Sequence, residues 1–350
     1  MPPLVLERNP SGDGRMEFLS VTLLPGRGMN VFQITGNMPG LGVVDLLKSP
    51  SVEVAASQLT GTGDDAYGNL NHSFGGAFLI PFSSRIGGEL SADKKTVTAT
   101  WRDKRILLPN DFLGHYAVHG LVNELKATGL HTEKTAGGES VTGVIHAGDF
   151  SGHWLSKTDL HYAIALTADA VEILVTAENV GNEPEPMAIG WHPYLVIPSG
   201  DRSQARVHIP ASRFSRLDTI DGRPTGDLDP VAGTKYDFES PEGSLLPPGE
   251  SVSINLSHLT RTDGVVEAWL SDPKAGYGIR VRGFSPRINT VHLYSPKDGT
   301  FAAIEEQFNY MDPFGKQWKG MDTGMVTLAP RESTTWHVRL ELFAPGAAGK

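Results

Sequence analysis

Two histidines and a pair of glutamates are the residues of this chain best suited to moving protons near neutral pH. His119 stands in "YAVHG" (116–120), where Gly120 permits a tight backbone turn directly after the imidazole. His192 stands in "GWHPYL" (190–195), where Pro193 forces the preceding residue into an extended conformation and so sets the direction of the ring. Its neighbours Trp191 and Tyr194 are aromatic, the kind of surface against which the C–H faces of a sugar ring lie. Glu305 and Glu306 follow an apolar strand entry in "FAAIEEQFNY" (301–310). Adjacent strand residues point to opposite faces, so one carboxylate turns inward and the other outward. An inward carboxylate is costly unless paired, which suggests a task for it. Arg85, before Ile86-Gly87-Gly88, offers a planar fork of donors to ligand oxygens. Singly, each has an ordinary explanation: a surface Arg in an ion pair, a buried His bonded to backbone, an aromatic strand end, two glutamates on a solvated loop. His115 is at i, i+4 to His119, but Gly114 and the β-type context argue against a helix that would join them in a metal site.

Composition narrows the classes. The 350 residues carry a formal charge of −10, which argues against nucleic acid and anionic membranes as partners. There is no cysteine, so thiol catalysis, Cys-ligated zinc and Fe–S clusters are excluded. The start "MPPLVLERNP" lacks a basic segment followed by an apolar one, and no apolar run approaches the ~20 residues of a membrane span. The expectation is a soluble, cytoplasmic protein. Its oligomeric state is not fixed by the sequence.

The elements that must hold these residues are strands. With 40 glycines and 24 prolines, turns are frequent. "TVTATWR" (96–102) puts Val97, Ala99 and Trp101 on one face. "LHYAIALTADAVEILVTAENVG" (160–181) reads as two strands about Ala168-Asp169-Ala170, while "GIRVRGF" (278–284) and "TTWHVRLELF" (334–343) alternate cleanly. Two helices of about two turns are expected, over 51–59 and 121–129. No βαβ rhythm, G-x-G-x-x-G or Walker loop appears. The predicted class is all-β, a large antiparallel sandwich in one domain over 1–350 with its core at about 17–343.

The order of motifs resembles the aldose 1-epimerase (mutarotase) family: Arg85-Ile86, then His119-Gly120, then His192-Pro193-Tyr194, then Glu305-Glu306-Gln307, closing on "LAPRESTTWHVRLELF" (328–343). The resemblance implies the galactose mutarotase-like supersandwich and an enzyme that interconverts the α and β anomers of a free aldose. It implies Glu305 as catalytic base, His192 as catalytic acid, and Arg85, His119, Tyr194 and Gln307 as substrate-binding residues, with no metal and no cofactor. The reaction needs one base at the anomeric hydroxyl and one acid at the ring oxygen, each contributing roughly 10²–10⁴-fold. The chain departs from the family at Ser84, where Asn is usual, at Arg331, where Gly is usual, and at Glu306. The family's sugar-binding Asp is absent from "INLSHLTRTD" (254–263), where Asn255, Ser257, His258 or Asp263 stands in its place. Three rivals remain: a facial metal triad of two histidines and a glutamate, whose usual H-x-D/E spacing is missing; a non-catalytic carbohydrate-binding sandwich; and a hexose-6-phosphate 1-epimerase, which would need basic residues near the cleft such as Arg102, Lys104 or Arg105.

Overall fold

The protein is described here from a computed structural model, over residues 1–346. Among the described residues the chain forms two large antiparallel sheets, one of eleven strands and one of nine, with three small sheets beside them. The middle of the larger sheet runs, in spatial order, Gly76–Leu79, Gly190–Val196, Phe301–Gln307, Thr290–Ser295, Val252–Leu259. The expected pair of strands around residue 169 is the hairpin Thr158–Thr167 and Ala170–Asn179. It lies in the smaller sheet with Ser333–Phe343 and Tyr277–Gly283.

The two sheets meet through side chains that strand alternation sends inward. Phe78 and Trp191, paired across neighbouring strands, reach Tyr162 and Trp336 of the opposing sheet. Ring centroids are 5.2 Å apart for Phe78–Tyr162, 6.3 Å for Phe78–Trp336 and 6.5 Å for Trp191–Trp336. Such pairs add about 0.5–1.5 kcal/mol each beyond the area they bury. Both indole N–H groups are satisfied, Trp191 donating to the Gly76 carbonyl at 2.7 Å and Trp336 to the Glu306 carbonyl at 3.0 Å. Gly76 has to be glycine, since any Cβ there would overlap the Trp191 ring.

Ser51 caps the expected first helix, Val52–Gln58. The second is absent: residues 121–127 form a non-helical connection, and a strand, Thr128–Thr135, follows. The backbone of that connection bonds outside itself: Leu121 N–H donates to Ile80 O, Ala127 N–H donates to Pro25 O, and Leu125 O accepts from Gly28 N–H. The side chain of Asn123 is buried against Asn71. Tertiary hydrogen bonds therefore replace the local ones a helix needs.

Candidate active site

The strand faces that turn away from the Trp191–Trp336 core carry the polar residues. Cross-strand register puts Asn255 opposite His292, and His292 opposite Glu305. His192 follows opposite Glu305, between the Gly190–Gln307 and Tyr194–Ala303 pairs, and faces Ala77 on its other side. Four strands thus line up Asn255, His292, Glu305 and His192 in one row. Gln307 and Tyr194 stand on the same face, two residues from Glu305 and His192.

Glu305 is fully buried and His192 is 5% exposed, with Nε2 of the imidazole 3.4 Å from Oε1 of the carboxylate. That distance is within ion-pair reach, but the alignment is too poor for a hydrogen bond, and Oε1 keeps no partner. Gln307 donates its amide N–H to the other oxygen, Oε2, at 2.6 Å, and so fixes the carboxylate with Oε1 toward His192. Tyr194 sits edge-on to His192 at 4.9 Å and packs on Phe301 at 4.5 Å. It is half-buried.

His119 reaches the same place from a loop. It donates its N–H to Ser84 O at 2.7 Å and adopts φ 57°, followed by Gly120 at φ 83°. A side chain at 120 would collide with the Ile80 backbone, so glycine is required there. The turn brings the His119 ring to 4.9 Å from that of His192. Arg85 begins a three-residue strand, Arg85–Gly87, that pairs with Tyr116–Val118 just before this turn. Its guanidinium lies over the Tyr116 ring at 5.1 Å, and Nε donates to Met311 Sδ at 3.0 Å. All six predicted site residues therefore fall in one region, although residues 85 and 307 lie far apart in the chain.

The reading of Glu306 as an outward residue needs correcting. Alternation does separate the pair, but both are buried, Glu306 at 1% exposure. Its strand is central, with both faces covered, so the side away from the cleft is the intersheet core. There the carboxyl lies against Gly283 and Ile288, and neither oxygen has a hydrogen-bond partner. Burial raises Glu306 well above the usual carboxylate range, opposed by the charge of Arg261.

Two site residues were missed by sequence reasoning. His72, in the turn Gly63–Ser73, stacks edge-on to His119 at 4.9 Å and lies 6.5 Å from His192. His292 belongs to the row itself. Neither stands in a distinctive motif, and only the "NHSFGG" lead into a core strand marks His72. Of the residues offered in place of the family's Asp, Asn255 is the one in the row. It is 1% exposed, and both its amide atoms lack partners. Buried polar atoms are nearly always paired, and leaving one unpaired costs about 1–3 kcal/mol. Here the unpartnered set includes Nδ1 of His72, His119, His192 and His292, both amide atoms of Asn255, Glu305 Oε1 and Gln307 Oε1. Such a concentration of free donors and acceptors suits a ligand rich in hydroxyls.

Burial also sets the protonation. Desolvation lowers His192 to about 3, His72 to about 4 and His292 to about 4, and it holds His119 well below the usual imidazole value with help from the neighbouring imidazoles. The same desolvation raises Glu305 well above the usual range, partly offset by the Gln307 hydrogen bond. Both members of the His192–Glu305 pair are pushed toward their neutral forms, so the pair holds one proton over a broad pH range. Among the described residues no group of three or more His, Asp or Glu side chains is arranged to hold a metal ion, and no helix is long and apolar enough to cross a membrane.

Fold and site together define a galactose mutarotase-like antiparallel sandwich with a histidine–carboxylate cleft. Solved structures share this architecture over nearly their whole length. A galactose mutarotase-like protein from Clostridium acetobutylicum superposes with a TM-score of 0.76 at 17% identity, covering 97% of this chain and 98% of that one. An aldose epimerase homologue from C. elegans gives 0.69 at 15% identity, covering 94% and 96%. A galactose 1-epimerase from Lactobacillus acidophilus gives 0.64 at 14% identity, covering 98% and 99%. No curated protein sequence matches the chain. The chain belongs to the aldose 1-epimerase family, whose profile matches residues 42–341.

Proposed function

We propose that this protein is an aldose 1-epimerase acting on a reducing monosaccharide, with Glu305 as base and His192 as acid. The observation that carries the reading is the buried His192–Glu305 contact of 3.4 Å, with Oε2 held by Gln307 and Oε1 free.

In the reacting arrangement the shared proton is on His192 and Glu305 is a carboxylate. Glu305 takes the proton of the anomeric hydroxyl while His192 gives its proton to the ring oxygen. The C1–ring oxygen bond breaks, its electron pair becomes the new hydroxyl, and the O1 electrons form the carbonyl. Rotation about C1–C2 presents the other face, and the reverse transfers close the ring. Each cycle returns its protons to where they began, so the site needs no exchange with water and no redox partner. His119 and Arg85 orient hydroxyls and stabilise the oxygen that gains negative character. Tyr194 offers its ring to the C–H face of the sugar.

The site draws on residues from 85 to 307, which supports reading 1–350 as one catalytic domain, and we place it in the cytoplasm. The test is anomer exchange, followed by polarimetry or NMR on freshly dissolved glucose, galactose, arabinose, fucose and, where a 6-hydroxyl exists, their 6-phosphates. Rates no faster than buffer on every sugar would overturn the proposal.

A further inference from the structure

Going outward from Glu305, the cross-strand register runs through His192 to Ala77. One strand further, in Asn30–Met38, the Val31–Gly76 pair sets Asn30 beside Ala77. Asn30 is fully buried and turns its amide to the loop that leads into Gly76–Leu79. It donates to Asn71 Oδ1 at 2.9 Å, Asn71 O at 3.1 Å and Phe74 O at 3.0 Å. Asn71 donates in turn to Arg27 O at 3.1 Å and to Asn123 Oδ1 at 3.0 Å. Three buried amides, Asn30, Asn71 and Asn123, thus tie to the sheet both stretches that deliver a loop histidine to the cleft. His72 directly follows Asn71, and His119 stands shortly before Asn123. Ala77, opposite His192, has only a methyl group, so the space beside His192 is left to these two imidazoles.

The ladder fixes His72 without using its ring. The side chain is half-buried, and Nδ1 has no partner among the described residues. A neutral imidazole presents one donor and one acceptor, which suits a hydroxyl. Its centroid is 4.9 Å from that of His119 and 6.5 Å from that of His192. At that separation His72 and His192 can each hold one of two neighbouring oxygens of a single sugar. The order across the site is therefore Glu305, His192, then His119 with His72. In a pyranose the ring oxygen stands between C1 and C5. With Glu305 at the C1 hydroxyl and His192 at the ring oxygen, groups beyond His192 face C5 and the substituent it carries.

We propose that His72 is a substrate-binding residue that selects hexoses by hydrogen-bonding their 6-hydroxyl. The proposal rests on the epimerase reading and adds a specificity determinant to it. An aldose without that hydroxyl leaves His72 unpaired in the complex, and a site built to bond a hydroxyl disfavours the analogue that lacks it.

Anomer exchange on matched pairs tests it, glucose with 6-deoxyglucose and galactose with 6-deoxygalactose, after subtraction of the uncatalysed rate. In the pair turned over faster, the wild type should favour the 6-hydroxylated sugar in kcat/KM by about tenfold, the worth of one hydrogen bond between neutral groups. The difference should lie mainly in KM. In His72→Phe, which keeps a ring against His119 but no polar atom, the ratio should fall toward one. In His72→Gln, whose amide still bonds a hydroxyl, it should be intermediate. Melting temperatures show that the variants fold, and should His72→Phe not fold, His72→Leu is read in the same way. Equal kcat/KM for the two sugars in the wild type, or an unchanged ratio in the apolar variant, overturns the assignment. If no sugar is exchanged, the epimerase reading fails, and calorimetric titration still decides the role of His72. Tighter binding of the 6-hydroxylated sugar, lost in the apolar variant, sustains it, and equal binding of the pair removes it.

Discussion

Glu305→Gln removes one proton acceptor and little else. Glutamine has the same shape, and its amide oxygen still accepts from Gln307 Nε2, now 2.6 Å from Glu305 Oε2. A positioned general base contributes roughly 10²–10⁴-fold, or about 2.7–5.5 kcal/mol of barrier. The expected loss in kcat is at least ~10²-fold, with KM changed little, because the unpartnered polar atoms of His119, His292 and Asn255 stay in place. Stability moves the other way. Burial raises the Glu305 pKa in the folded protein above its unfolded value. The wild type therefore loses stability as pH rises above about 4.5 toward the folded pKa, and the glutamine variant does not. Its melting temperature should equal or exceed that of the wild type, increasingly so toward pH 8, which separates a catalytic loss from unfolding. Glu306→Gln is the control. Its carboxyl lies in the intersheet core, so anomer exchange should stay within about twofold, while stability at pH 8 rises for the same reason. NMR anomer exchange and thermal melts on both variants at pH 5 and 8 give the answer. Loss of activity in Glu306→Gln with retention in Glu305→Gln would refute the assignment.

His192→Asn should cost at least ~10²-fold in kcat because the proton donor is lost, whereas His119→Asn keeps a hydrogen-bond donor and should be milder; steady-state rates on the two variants check the division of roles. Because burial holds His192 near 3 and His72 and His292 near 4, kcat/KM should stay level from pH 7 to 5 and fall only below about 4; a limb near 6.5 in the pH–rate profile would contradict it. Asn255→Ala removes two buried unpartnered amide atoms, so KM should rise about tenfold while the melting temperature holds or increases. Glu185, buried and bonded by Thr158 at 2.9 Å, is raised to about 7. The unfolded carboxyl ionises from about 4.5 while the folded one stays neutral to about 7, so stability is lost across that window and stays lost above it; Glu185→Gln should stabilise by up to about 3 kcal/mol at pH 8 and much less at pH 5, measured by denaturant titration.

Period-two alternation was enough to place the strands Thr96–Trp101 and Tyr277–Gly283, the Thr158–Asn179 hairpin and the long closing strand, because side-chain direction in a strand is a local property. The same rule separated Glu305 from Glu306. The turn at His119-Gly120 and the extended setting of His192 were likewise legible, since glycine and proline act on their own backbone. What local rules could not show is what covers a face. Glu306 was read as outward because the sequence does not say that its strand is central, with a second sheet beneath it. The helix expected over 121–129 gave way because Ile80, Pro25 and Asn71 supply partners from elsewhere in the chain. His72 and His292 carry no motif; packing alone brings one within stacking distance of His119 and register alone sets the other opposite Glu305. The protonation of the cluster was also beyond the sequence. Two histidines and a glutamate suggest charged groups near neutrality, and only burial, which removes them from water, turns the pair toward its neutral, one-proton form.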